Sequence, residues 1–223
     1  MAQKRAVVRQ SLPDVIATDL RNRILSGDLA EGDLIRQELL AEEYDVSRMP
    51  VREALKRLDS EGLVVFINNR GATVTKHSLA EIAEFFDVRI LLEVDLLKKS
   101  IPLMEEHHFD QCSNLLDEME ASYAAGNVAD WGPLNAQYHA MLYEAANQKL
   151  TMQLLERVSM QANRYVSMHI DHLRKADNAE HDHRSLFNLA RLRDVDGAAN
   201  LLRVHLENTK QQILELIAIT RSK

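Results

Sequence analysis

A chain of 223 residues, 46% hydrophobic and 27% charged, has room for one large domain or two modest ones, each with a core. Aromatics at 5%, with seven glycines and four prolines, favour a mostly helical protein. One cysteine excludes an internal disulfide framework, and no long apolar run marks a signal peptide or a membrane span, so a cytoplasmic protein is expected. The net charge of −7 argues against a general nucleic-acid binder, but it is unevenly spread. Residues 1–77 hold 12 basic and 12 acidic side chains, so the rest of the chain carries the whole excess. All nine histidines lie at or beyond position 77. Two domains are expected, 1–76 and 77–223.

In chain order, Leu12, Val15, Ile16, Leu20, Ile24 and Leu25 recur at helical spacing and predict a helix over about 11–26. Gly27 and Gly32 bracket a turn. A short helix follows at about 36–44, with Leu39, Leu40 and Ala41 as its core side. Asp45 and Val46 lead into a further helix running to about Ser60. Ser47 is a suitable N-cap, its hydroxyl accepting from a first-turn N–H. Pro50 falls in that first turn, where a missing N–H costs little. Val51, Ala54, Leu55 and Leu58 make one apolar face, while Arg48 and Arg52 share another near the leading end. A helix that enters a DNA groove needs this layout: anchored behind, cationic in front. An ordinary amphipathic helix with solvated arginines has the same pattern. Gly62 ends the helix. Val64–Ile67 and Ala72–Thr75 are β-prone, and Asn68-Asn69-Arg70-Gly71 between them tolerates positive φ. A hairpin is predicted, with Arg70 at its tip either reaching DNA or solvated. The order of elements is that of a winged helix-turn-helix.

The runs Leu39-Leu40-Ala41-Glu42, Val46-Ser47-Arg48, Pro50-Val51-Arg52-Glu53-Ala54-Leu55, Arg57-Leu58, Glu61-Gly62-Leu63-Val64 and Asn69-Arg70-Gly71-Ala72 carry a resemblance. Together they resemble the DNA-binding domain of the GntR family of bacterial transcription regulators. The resemblance implies operator contacts by Arg48 and Arg52, with Ser47, Met49, Pro50, Asn69, Arg70 and Gly71 in the same interface. Met49 stands where the family usually has Thr, and Glu38 where some members have a contacting arginine.

Beyond position 77, apolar periodicity predicts six helices, at about 78–100, 107–125, 128–146, 148–173, 179–193 and 194–221. The first carries Leu79, Ile82, Phe85, Phe86, Ile90, Leu91, Val94 and Leu97 as a broad stripe, and Ile101-Pro102 breaks it. Short connections make this an all-α six-helix bundle. Cys112 falls on an apolar stripe and reads as a core thiol. The third helix has Trp131, Leu134, Tyr138, Met141 and Leu142 on one stripe, with Asn135 and His139 among them. The fifth groups His183 with Leu186, Phe187 and Ala190; the last groups His205 with Leu202, Leu206, Thr209 and Ile213. Three helices thus turn an imidazole inward. A buried polar group without a partner costs about 1–3 kcal/mol. Either a divalent metal gathers these rings, or each is a separate core histidine bonded to a backbone carbonyl. His107, His108, His169, His172 and His181 read as surface or edge residues.

The stretch from Phe86-Asp87-Val88-Arg89 to His205-Leu206 resembles the FCD effector domain of the FadR subgroup. The motifs are Asn135-Ala136-Gln137-Tyr138-His139, His183-Arg184-Ser185-Leu186-Phe187 and Arg203-Val204-His205-Leu206. The resemblance implies that Asn135, His139, His183 and His205 hold a divalent metal ion, most suitably zinc or nickel. Asparagine in place of aspartate removes a negative ligand and weakens the metal. The remaining positive centre attracts a carboxylate. The resemblance also lines the ligand cavity with an arginine at the place of Arg89. Arg89 and Arg164 are therefore expected to anchor a small organic acid, with Glu93 and Tyr138 as further contacts. Equally, Arg89 can be spent on Glu93, four residues along its own helix.

The expected function is a transcription regulator, and in particular a repressor. It would act as a homodimer on palindromic double-stranded DNA with half-sites about one helical turn apart. The alternative is a metal-dependent helical-bundle enzyme, since Glu105-x-x-His108 and Glu180-x-x-His183 formally match a di-iron pattern. A constitutive architectural DNA binder is a third class, and the acidic, histidine-bearing bundle argues against it.

Overall fold

The computed structural model describes residues 11–68, 70–125, 128–176 and 179–222. The chain divides into two compact units between Lys76 and His77.

The first unit holds α1 (Leu12–Ser26), β1 (Leu34–Ile35), α2 (Gln37–Glu43), α3 (Arg48–Ser60), β2 (Val64–Ile67) and β3 (Gly71–Val74). Ser11 starts α1: its N–H and its hydroxyl both donate to Asp14, at 3.2 and 2.5 Å. Gly27 stops it at φ 89°, a left-handed conformation that glycine adopts without strain. Leu20 and Ile24 of α1 meet Val51, Ala54, Leu55 and Leu58 of α3, and all six are fully enclosed. Each of the larger side chains contributes about 1.5–3 kcal/mol by leaving water. Arg21 clamps the far end of α3 through two bonds to Glu61, at 2.8 and 2.6 Å.

The sheet is antiparallel in the order β1-β3-β2. The two residues of β1 are too few to show an alternating pattern, so the sequence signals only the hairpin. Leu39 departs from its expected place on the core side of α2 and is 57% exposed. A helix of seven residues buries a single narrow stripe, and Leu40 and Ala41 take it.

The second unit holds α4 (Leu79–Ser100), α5 (Glu106–Ala124), α6 (Val128–Glu144), α7 (Lys149–Ala176), α8 (Ala179–Arg191) and α9 (Val195–Arg221). Ser78 caps α4 by accepting from the Glu81 N–H at 3.2 Å, while Glu81 accepts from the Ser78 N–H at 2.7 Å. At its other end α4 runs into a 3-10 turn over Ile101–Leu103. Among the described residues two apolar clusters fill the bundle. The larger joins Val94 and Leu97 of α4 to Cys112, Leu142, Leu186 and Leu202. The smaller joins Ile82 and Phe86 of α4 to Ala162, Tyr165 and Ile213. So α4 runs through both. Leu91, expected on the α4 stripe, is 68% exposed, because residues on either side of it already fill the buried arc. Among the described residues no helix is long and apolar enough to cross a membrane.

Gly71 sits at φ 125°, and a Cβ there would lie 1.9 Å from the Ile35 carbonyl oxygen. Gly71→Ala should therefore destabilise the first unit by about 2 kcal/mol or more, read as an earlier urea unfolding midpoint. An unchanged midpoint would show that β1 yields without cost.

Candidate functional site

Two groups of residues carry chemistry, one in each unit. In the first, α3 is sealed behind by Val51, Ala54, Leu55 and Leu58 and open in front. Ser47 has N-cap geometry, φ −69° and ψ 162°, yet its side chain makes no bond to the helix. This corrects the expected cap. Pro50, the third helical residue, has no N–H and so removes one of the two donors within reach of that hydroxyl, the Met49 N–H being the other. Arg48 reaches back to Glu38 at 3.0 Å, with 68% and 42% of the two side chains exposed. Exposed pairs of this kind contribute about 0–1 kcal/mol, so Arg48 is easily drawn away. Met49 is 70% exposed, Arg52 and Arg70 are exposed, and Pro50 is half-buried. The Arg70 N–H donates to Ile67 O at 3.1 Å and shapes the wing turn. Gly71 is buried beneath that turn and packs on β1, so its observed part is to shape the wing. Asn69 lies outside the described residues.

In the second unit, α6, α8 and α9 bring His139, His183 and His205 together, at 5%, 2% and 9% exposure. One ring nitrogen from each lies within 4.8 Å of the other two. His139 Nε2 and His183 Nε2 are 3.3 Å apart. The ring centroids of His205 lie 5.9 Å from His139 and 4.9 Å from His183. Nδ1 of His139 faces the Tyr143 hydroxyl at 3.2 Å, and Nδ1 of His205 faces Asp182 at 3.3 Å. Burial holds the imidazoles of His139 and His183 well below their usual pKa, and the neighbouring rings push the same way. Neutral imidazole is the form that binds metals.

This donor set suits a divalent ion. Zinc–nitrogen bonds of about 2.0–2.1 Å at a tetrahedral angle separate two ligand nitrogens by about 3.3–3.4 Å. Asn135 lies one turn before His139 on α6. Its side-chain oxygen is enclosed and has no hydrogen-bond partner among the described residues. Leaving such an oxygen unbound costs about 1–3 kcal/mol.

Beside the histidines lies a buried ion pair. Arg89 Nε donates to Glu93 at 2.7 Å, and the two side chains are 7% and 1% exposed. A second Arg89 nitrogen donates to the Asn163 side-chain oxygen at 3.3 Å. The pairing with Glu93 that the sequence allows is thus present. Tyr143 donates to the other Glu93 oxygen at 2.7 Å. Tyr138 is fully buried and donates to the His183 carbonyl at 2.9 Å. Arg164, on α7 next to Asn163, is fully buried with its guanidinium 5.7 Å from the Tyr165 ring.

Other sequence candidates sort themselves here. His107 is exposed, but His108, expected at the surface, is buried. Its Nδ1 accepts from the Glu105 N–H at 3.0 Å and caps α5, an apt use for an imidazole at a helix start. Cys112 is buried, and burial pushes its thiol up to about 12, as suits a core thiol. The side chains of Trp131, His169 and His172 lie outside the described residues. Tyr143 and Asp182 escaped the sequence reading. One follows His139 by four residues and the other adjoins His183, which is the only signal either gives.

Residues 84–208 match the family described as FCD domain. Residues 4–74 match bacterial regulatory proteins, gntR family. BphR of Paraburkholderia xenovorans, described as an uncharacterized HTH-type transcriptional regulator, is 30% identical over 209 residues, 90% of this chain and 84% of that protein. The chain belongs to the GntR family. Its second half places it in the FadR-like FCD subgroup. RspR of Escherichia coli, an HTH-type transcriptional repressor, is 23% identical over 197 residues, 88% of this chain and 86% of that protein. The solved structure of E. coli McbR/YncC aligns with TM-score 0.80 at 18% identity, covering 94% of this chain and 100% of that one. That likeness concerns the fold alone. As a GntR-family member the chain is a DNA-binding transcription regulator and not an enzyme, which sets aside the di-iron reading.

Removing one member of a buried ion pair strands the other. Glu93→Leu should cost about 3–5 kcal/mol in urea unfolding, and adding Arg89→Met should recover most of it. A loss no larger than that of a surface substitution would mean that Arg89 finds another partner.

Proposed function

We propose that the chain is a repressor that binds a palindromic operator as a homodimer through residues 1–76. Residues 77–223 form the effector and dimerisation domain, in which a divalent metal and a small carboxylate bind together and alter operator affinity. The convergence of three buried imidazoles from three helices supports the sensor most strongly. His139, His183, His205 and Asn135 would hold the metal, zinc or nickel by ligand type. When bound, the ion supplies a positive centre for a carboxylate oxygen. Arg89 is the anchor for the rest of the acid, with Arg164, Glu93 and Tyr138 around it. An entering carboxylate competes with Glu93 for the Arg89 guanidinium, so binding alters a contact within the bundle. An effector that favours one conformation shifts operator affinity in proportion to that preference.

The reader is α3. Arg48 and Arg52 reach base edges or phosphates from its leading end, Ser47, Met49 and Pro50 flank them, and Asn69, Arg70 and Gly71 bring the wing alongside. A symmetric operator asks for a symmetric protein, hence the homodimer. RspR is named a repressor, and that sense of regulation is the one carried over here. A chromosomal operator puts the protein in the cytoplasm.

Arg48→Ala and Arg52→Ala should each weaken operator binding roughly ten- to hundredfold in mobility-shift titrations at fixed salt. A double variant that still occupies the promoter like the parent would remove α3 as the reader. For the sensor, chelator should lower the melting temperature and zinc restore it. Screened organic acids should raise it further only in the metal-loaded protein. Arg89→Ala should abolish the acid-dependent rise and keep the zinc-dependent one. An unchanged acid response in Arg89→Ala rules out the anchor, and a melting temperature indifferent to chelator and zinc rules out the metal.

A further inference from the structure

We infer that Glu93 and Tyr143 are positioning residues for His139, setting by the direction of their hydrogen bonds which ring nitrogen is offered to the metal. The inference rests on the metal reading above and concerns residues outside the proposed ligand set.

Arg89 is always a donor, so its bond to Glu93 fixes the polarity at the head of the chain. A carboxylate has no hydrogen to give, so the 2.7 Å contact between Tyr143 and Glu93 uses the single hydrogen of the phenol. Toward His139, 3.2 Å away, Tyr143 then presents only a lone pair, and Nδ1 must carry the ring proton. Neutral imidazole has one N–H, so Nε2 is left with its lone pair. That is the atom facing His183 across 3.3 Å. Asp182 does the same for His205 through Nδ1 at 3.3 Å. Two rings from two helices are thereby handed over in the tautomer that ligates through Nε2. The opposite tautomer fills the same volume but points an N–H at the cation, so packing alone could not choose between them.

The test uses the full chain labelled with 15N-histidine. Long-range proton–nitrogen correlation spectra of the metal-free protein read the tautomers, and zinc titration against a competing chelator reads affinity. The parent should show His139 protonated on Nδ1. In Glu93→Gln the side-chain oxygen stays on Arg89, the amide N–H turns to Tyr143 and the chain reverses. His139 should then carry its proton on Nε2, and zinc affinity should fall about 10–100-fold. Tyr143→Phe should weaken zinc by a similar factor. Glu93→Gln added to Tyr143→Phe should cost nothing more, because no hydroxyl remains to transmit the direction. Asp182→Asn, at a position 24% exposed, should weaken zinc through His205 without disturbing the core. Losses that simply add, or a His139 tautomer unchanged in Glu93→Gln, overturn the inference while leaving the metal reading intact. A parent that binds no zinc but shows the expected tautomers sinks the metal reading and keeps the relay.

Discussion

A carboxylate that is 1% exposed has to be bonded on both oxygens, because removing it from water otherwise costs several kcal/mol. Glu93 meets this demand with Arg89 on its own helix and Tyr143 on α6. The two bonds fix α4 against α6 at the level of His139. His139 in turn faces His183 on α8 and His205 on α9. The site thus hangs from α4, the helix that also contributes to both apolar clusters. A helix held along most of its length is a stiff support.

The first unit solves the opposite problem. Arg48 and Arg52 are exposed on a helix whose apolar side is sealed and whose leading end is wet. Arg48 is paired with Glu38 across an exposed surface, a contact that costs little to break. Pro50 fixes φ in the first turn of α3, and the Ser47 hydroxyl makes no bond to the helix.

Most of the fold was legible because it is helical and amphipathic, and a 3.6-residue period survives in a single sequence. The six helices of the bundle and α1 to α3 begin and end close to where caps, glycines and periodicity put them. What was lost had no period to show. β1 is two residues long and is defined only by its partner β3. Leu39 and Leu91 are apolar at positions whose arc the neighbours already fill. His108 looked solvated in a charged run, and only the turn at the start of α5 gives it a backbone donor. Among site residues, inward-facing histidines could be read from their stripes, and their meeting could not. Spacing within a helix tells which side a residue takes but says nothing of its height against another helix. Tyr143 and Glu93 are 50 residues apart, and their bond exists only once α4 and α6 are docked. For the same reason spacing alone does not distinguish a metal ligand from an isolated core histidine.

The residue at 135 decides how the proposed centre would behave electrically. Three neutral imidazoles and one amide leave a divalent ion with its whole charge inside a poorly screened interior. Two unit charges about 4 Å apart interact by about 4 kcal/mol at the effective dielectric of roughly 20 that suits such sites. An aspartate would have cancelled half of that charge permanently. With asparagine, further compensating charge must come from elsewhere: Asp182 faces His205 from outside the ligand set, and the oxygens of Glu93 are committed to Arg89 and Tyr143. A carboxylate bound directly would supply it. In the proposed centre the amide would therefore loosen the metal when it is alone and tighten the acid once the metal is there. Linkage makes the effect mutual, so each raises the affinity of the other by the same factor. In this reading the asparagine is what makes the bundle respond to an organic acid and a metal jointly, where an aspartate would have favoured a permanently loaded structural ion.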